Sequence, residues 1–197
     1  MFFICSPEIY PFRWQRRQGI TVSVFIATSL DGYIAREDGN LDWLDAASRT
    51  IPSGEDLGYE VFMTPIDAII MGRNSFEKVQ SFGDWPYKKH TFILSNSLTT
   101  VPDELAENLD ILSGSPKDIV SKIRKKGFEN LYVDGGVTIQ NFLQAGLITD
   151  LTITTIPIIL GNGLPLFGDL SSDVQLSLTA YKGFDFGFTQ SSYDVIS

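Results

Sequence analysis

Apolar and polar positions alternate along most of the chain with the two periods that mark strands and helices. Eight segments have the alternation, or the short apolar run, of a strand: 20–28, 68–71, 91–94, 110–112, 131–133, 151–160, 174–181 and 187–195. Helical spacing appears at 55–64, 74–79 and 116–126, and again after residue 136. Strands that alternate with helices and end in a hairpin predict an α/β fold with a mostly parallel central sheet, an antiparallel C-terminal hairpin and helices on both faces.

The first nineteen residues do not share this pattern. Residues 1–5 are apolar but too few for a secretory signal core, and Arg13, Arg16 and Arg17 follow them instead of preceding them. We therefore expect an N-terminal extension over 1–19 and a single domain over 20–197.

Composition narrows the possible partners. The net charge of −9 argues against nucleic acid and anionic membranes, so an anionic ligand must be held by local amides and a few cations. No apolar run is long enough to span a membrane. The lone cysteine, Cys5, excludes an intrachain disulfide and favours a cytoplasmic location. The lone histidine, His90, has no cysteine or carboxylate cluster near it, so no metal site is expected.

Two junctions between a strand and a helix carry the candidate chemistry. In the first, an apolar run stops at Gly72, and Arg73, Asn74 and Ser75 open a helix. Unpaired amides at a helix N-terminus, together with a nearby arginine, bind phosphate, although Asn74 or Ser75 could equally be a simple N-cap.

The second junction reads Asp134-Gly135-Gly136 and again precedes an amphipathic helix. Adjacent glycines let the backbone approach a ligand closely, although a plain tight turn between strand and helix has the same sequence. The three-glycine dinucleotide signature is absent. Two phosphate-compatible junctions in one small domain predict an extended ligand with several phosphates.

Four motifs resemble a known family in their order and context: 29–35, 70–77, 133–136 and 157–167. From residue 20 to the end, the chain is similar to the dihydrofolate reductase-like superfamily, in the branch of the reductase domain of the bifunctional riboflavin-biosynthesis deaminase-reductase. The resemblance implies an NADPH-binding sheet, a homodimer, and hydride transfer to a pterin-like or pyrimidine-like small molecule. It also implies cofactor contacts at Ala27, Gly72, Arg73, Asn74, Ser75, Ser95, Asn96, Gly135, Gly136, Val137 and Thr138.

Catalytic and substrate residues are harder to assign. Asp31 and Asp56 are the candidate proton donors, although Asp56 could simply favour a helix start. Trp43, interpreted as a loop residue, is the candidate for stacking on a substrate ring. A ribose phosphate would find only Arg36 and Arg49 near the expected site.

We predict an NADPH-dependent reductase of a small heteroaromatic or carbonyl-type substrate. The alternatives are a non-catalytic nucleotide-binding module and a true dihydrofolate reductase. The long segment between Trp43 and Asp56 makes folate reduction doubtful, and the deaminase motifs of the bifunctional enzyme are absent.

Overall fold

Eight strands form the central sheet of the computed structural model, which describes residues 19–196. From one edge to the other they are β5 (Leu109–Leu112), β4 (His90–Leu94), β3 (Ala68–Gly72), β6 (Asn130–Asp134), β1 (Thr21–Ser29), β7 (Asp150–Ile156), β10 (Thr189–Val195) and β9 (Leu176–Gly183). The first six are parallel, and β10 and β9 are antiparallel to their neighbours. The predicted sheet and hairpin are confirmed. Residues 1–18 of the predicted extension lie outside the described residues.

Helices cover both faces of this sheet. Within residues 19–196 they are α1 (Asp42–Ser48), α2 (Tyr59–Met63), α3 (Arg73–Gln80), α4 (Pro116–Lys125) and α5 (Gly136–Gln144). Successive side chains of a strand point to opposite faces, so β3 contributes to two cores. Ala68 and Ile70 pack in the core that contains α4 and α5, whereas Ile69 and Met71 pack in the core that contains α2 and α3.

Three local predictions are wrong. The strand predicted over 151–160 ends at Ile156, because Pro157 cannot donate a ladder hydrogen bond. The helix predicted over 55–64 begins only at Tyr59, since Leu57 and Gly58 have φ angles of 57° and 83°. Helix α1 was predicted as a loop because it is short and has no side-chain cap.

A second sheet of two short strands lies beside the carboxyl end of β1. It pairs β2 (Tyr33–Ala35) with β8 (Leu164–Pro165). The Gln140 side-chain amide of α5 donates to the carbonyl oxygen of Pro165 at 2.9 Å. The small sheet is therefore attached to both β1 and α5, and it forms one wall of the site described next.

Candidate functional site

A groove of about 970 Å³ follows the carboxyl ends of the parallel strands. This volume is at the upper end of the roughly 300–1,000 Å³ found for ligand pockets. The wall is polar at β3, β4 and β5, where Arg73 and Ser95 lie, and apolar at β1 and β2, where Ala27 and Ala35 lie. In open α/β sheets, ligands bind at this edge.

The two glycine-marked turns meet in the groove because β3 and β6 are paired neighbours. Gly135 has a φ of +90°, and a Cβ there would collide with Ser75 Oγ of the helix that follows the other turn. A Cβ at Gly72 would lie 3.0 Å from Thr138 Oγ1. Each turn therefore packs against the helix that starts from the other one, and the position of Gly135 accepts glycine alone.

The N-termini of α3 and α5 line this groove without a side-chain cap. Their N-cap residues are Gly72 and Gly135, and neither helix has an acidic residue in its first turn. Helix α4 differs, because Ser115 Oγ accepts a hydrogen bond from the Asp118 amide at 3.2 Å. The alternative in which Asn74 or Ser75 is only a cap of α3 is therefore wrong. Two uncapped N-termini present amide donors and positive dipole ends to an anion.

A forked cation lies at the polar end of the groove. Arg73 Nη1 donates to Ser97 Oγ at 3.1 Å, while Arg73 Nε lies 3.5 Å from a carboxylate oxygen of Glu77. The Ser95 hydroxyl accepts from the amides of Ser97 and Leu98 at 3.1 and 2.9 Å, which fixes the loop after β4. The guanidinium and the two serine hydroxyls can together donate several hydrogen bonds to a doubly charged group.

The structure brings all of the predicted cofactor residues into the groove wall. They are Ala27, Gly72, Arg73, Asn74, Ser75, Ser95, Asn96, Gly135, Gly136, Val137 and Thr138. Val137, in the first turn of α5, is 71% exposed. The predicted catalytic carboxylates and Trp43 do not line the groove.

Asp31 fastens the chain between β7 and β8. Its carboxylate accepts from Ser29 Oγ at 2.6 Å and from the amides of Leu160 and Gly161 at 3.1 and 2.7 Å. The hydrogen bond from Ser29 is the main cause that lowers the pKa of Asp31. A carboxyl whose pKa is lowered is ionised near neutral pH and is a poor proton donor there.

Asp56 stabilises the start of α2. It accepts from the amides of Glu60 and Gly58 at 2.7 and 2.9 Å, and these bonds lower its pKa. We expect Asp56→Ala to lower the free energy of unfolding by about 1 kcal/mol and Asp56→Asn to lower it by less, since asparagine keeps one of the two acceptor oxygens. Chemical denaturation measures both. Loss of turnover in a folded Asp56→Asn protein would instead restore the carboxylate to the catalytic candidates.

Trp43 lies in α1 and not in a loop, so that part of its prediction is wrong. Its side chain is 3% exposed and packs with Ile156, Phe184 and Phe188. The Trp43 ring is therefore part of the hydrophobic core, and its packing holds α1 beside the apolar end of the groove. Stacking on a substrate ring remains a prediction.

Asp134 is the carboxylate that lines the groove, and the sequence argument gave it no role. Burial raises its pKa above the ordinary value, although a hydrogen bond from the Gly135 amide opposes this shift. The Tyr132 hydroxyl lies 3.4 Å from Asp134 Oδ1 and donates to the carbonyl oxygen of Phe25 at 3.1 Å. Burial, with a smaller effect of the Asp134 charge, raises the pKa of Tyr59 to about 12. Asp134 therefore lies among phenols that remain protonated.

Within the residues described, no group of three His, Cys, Asp or Glu side chains has the arrangement of a metal site. His90 contacts Asp110, with 3.0 Å between His90 Nε2 and Asp110 Oδ2, and stacks on Phe128.

No helix between residues 19 and 196 is long and apolar enough to cross a membrane.

The sheet, the hairpin and the groove define an α/β protein of the dihydrofolate reductase-like superfamily. Residues 20–188 match the RibD C-terminal domain, and the chain belongs to that family. This family is the reductase domain of riboflavin-biosynthesis enzymes.

Relatives of the chain agree with this assignment. Over 165 residues it is 33% identical to the uncharacterized protein YwjB of Bacillus subtilis (strain 168), covering 82% of this chain and 90% of YwjB. The crystal structure of a candidate riboflavin biosynthesis protein from Shewanella sp. PV-4 has 43% identity and a TM-score of 0.85, covering 90% of this chain and all of the other. The diaminohydroxyphosphoribosylaminopyrimidine deaminase/5-amino-6-(5-phosphoribosylamino)uracil reductase of Thermotoga maritima has 16% identity and a TM-score of 0.68, covering 90% of this chain and 57% of that one. This last likeness is one of fold.

Proposed function

We propose that the protein is an NADPH-dependent reductase of a small heteroaromatic or carbonyl-type substrate. The observation that carries the proposal is the pair of uncapped helix N-termini that meet across Gly72 and Gly135. Their amides suit the pyrophosphate of a dinucleotide, because that group carries negative charge on two adjacent phosphates. Arg73, Ser95 and Ser97 suit the additional 2′-phosphate of NADPH.

The opposite end of the groove suits the reaction itself. When bound, NADPH supplies a hydride to the substrate, and a proton must be added separately. The wall at Ala27, Leu41 and Leu44 is apolar, which suits a hydride transfer protected from water. Asp134 lines the same groove at the end of β6, and burial raises its pKa. We therefore assign proton donation to Asp134 in place of Asp31 and Asp56.

The proposal predicts a preference for NADPH over NADH that depends on Arg73. NADPH should raise the melting temperature of the wild-type protein more than an equal concentration of NADH does. Arg73→Ala should lower the affinity for NADPH by roughly 10-fold to 150-fold, because hydrogen bonds to charged groups contribute about 1.5–3 kcal/mol. The affinity for NADH should change little.

Lys78→Ala is the matched control, since it removes a second cation of α3 that also lines the groove. Equal losses of affinity for NADPH and NADH in Arg73→Ala would contradict the assignment of Arg73 to the 2′-phosphate. Tight NADPH binding without oxidation by any pterin or aminopyrimidine would favour the non-catalytic module. Oxidation with dihydrofolate would favour the folate reductase.

We also propose that two copies associate through β9. Within the described residues this strand is hydrogen-bonded to β10 on one side alone, and Leu178 and Tyr181 are 59% and 60% exposed. An unpaired edge with apolar side chains favours pairing with a second copy. We expect light scattering to give the mass of a dimer for the wild type and of a monomer for Leu178→Lys. A monomeric wild type would contradict this arrangement.

A further inference from the structure

We infer that the substrate of this protein carries no phosphate and is an uncharged ring that donates hydrogen bonds. The inference rests on the proposed function, in which NADPH occupies the cationic end of the groove. It is carried by the position of the cations among the described residues of the groove wall and by the pairing of Arg36, which follows β2.

The cations of the groove are on α3. Of the described residues that line it, only Arg73 and Lys78 are basic, and both lie beside the polar end. Cofactor phosphates bound there would use these cations. A phosphate group of the substrate, bound at the β1 end, would then need a different cation.

The cation that follows β2 in sequence is already paired. Arg36 directly follows β2, and its guanidinium binds both carboxylate oxygens of Asp42, with Nε–Oδ1 and Nη2–Oδ2 distances of 2.6 and 3.0 Å. This bidentate pair satisfies the face of the guanidinium that would otherwise grip a phosphate. Arg49 follows α1 at its C-cap and does not line the groove.

The carboxyl group of Asp134, at the end of β6, suits a partner that donates hydrogen bonds. It lines the same groove as the apolar residues Ala27, Ile34 and Leu44. In its protonated form it offers no positive charge to a phosphate, whereas its carbonyl oxygen can accept from an amino group or a ring N–H. A neutral aminopyrimidine or pterin ring has these donors and a flat apolar face.

The test compares one ring with and without phosphate. We would measure by calorimetry the binding of 5-amino-6-(5-phosphoribosylamino)uracil, and of the same compound after phosphatase treatment, to the protein saturated with NADP⁺. We expect the dephosphorylated compound to bind about 10-fold more tightly, and only this compound to accelerate NADPH oxidation. Asp42→Asn should reduce this preference by freeing Arg36, while it keeps the bond from the Asp42 backbone amide to Asn40 Oδ1.

Tighter binding of the phosphorylated compound to the wild type would overturn the inference while leaving the reductase proposal intact. Binding of neither compound by a protein that still binds NADP⁺ would also overturn it, because the ring class would then be wrong. A protein that binds no NADPH in the thermal-shift assay would instead reject the proposed function, and the inference with it.

Discussion

Asp134→Asn is expected to lower kcat for NADPH oxidation by roughly 100-fold to 10,000-fold while the affinity for NADPH stays within about twofold, since general acid catalysis contributes that range. The substitution keeps the size of the side chain and its hydrogen-bonding oxygen but removes the proton. Steady-state kinetics and cofactor titration measure the two quantities separately. A variant with wild-type kcat would remove Asp134 from the reaction.

The pH dependence of stability checks the same residue independently of activity. Burial raises the pKa of Asp134 in the folded protein above its unfolded value. Ionisation therefore destabilises the wild type as pH rises through this interval, and the cost persists above the folded pKa. Asp134→Asn has no such group. We expect its advantage in unfolding free energy to be small at pH 3 and to increase toward neutral pH, and a constant difference would contradict the raised pKa.

Gly135→Ala has the second large expected effect, namely loss of detectable NADPH binding together with a lower melting temperature. Gly135 has a φ of 90° and a ψ of 133°, a conformation that costs on the order of 1–3 kcal/mol for a residue with a Cβ. In addition, the new methyl group would meet Ser75 Oγ, which would have to rotate where the N-termini of α3 and α5 lie together. Calorimetry with NADPH and thermal unfolding measure the two effects.

Gly127→Ala is the control that distinguishes the effect of backbone strain from that of the collision with Ser75 Oγ. Gly127 has a φ of +94°, close to the +90° of Gly135, but nothing lies within 4 Å of its added Cβ. We expect Gly127→Ala to lose stability from backbone strain and to keep the cofactor, and Gly135→Ala to lose both. If both variants bind NADPH like the wild type, the meeting of the two turns is not what holds the ligand.

Much of the site could be predicted because its residues are adjacent in sequence to strand ends. Gly72 and Gly135 each terminate a clear apolar run, and glycine before a helix is a local signal. The pattern alone could not show that β3 and β6 are neighbours in the sheet, since two strands and two α-helices lie between them along the chain. The resemblance to a family provided that step.

The failures have physical causes in the same region. Asp31 and Asp56 were chosen for their sequence positions, but their oxygens are occupied by backbone amides whose partners are set by loop geometry. Asp134 was passed over because its raised pKa depends on burial, which appears only when β6 is placed between β1 and β3. Helix α1 depends on the burial of Trp43 against residues of the distant C-terminal segment, which local propensity does not report.

Because Asp31 attaches the β2–β8 wall to the end of β1, substitutions in this wall and substitutions at the strand ends have different consequences. The base of the groove consists of strand ends whose side chains also form the cores, so substitutions there alter stability and binding together. The wall contributed by β2 and β8 is joined to the rest by side-chain bonds from Asp31 and Gln140, by a backbone bond from the Leu166 amide to the Gly32 carbonyl oxygen, and by the buried Leu166 side chain. Exposed positions between these attachment points can change without disturbing the sheet. Substitutions in this wall should therefore be tolerated best at exposed positions such as Ile159 and least at the buried Leu166.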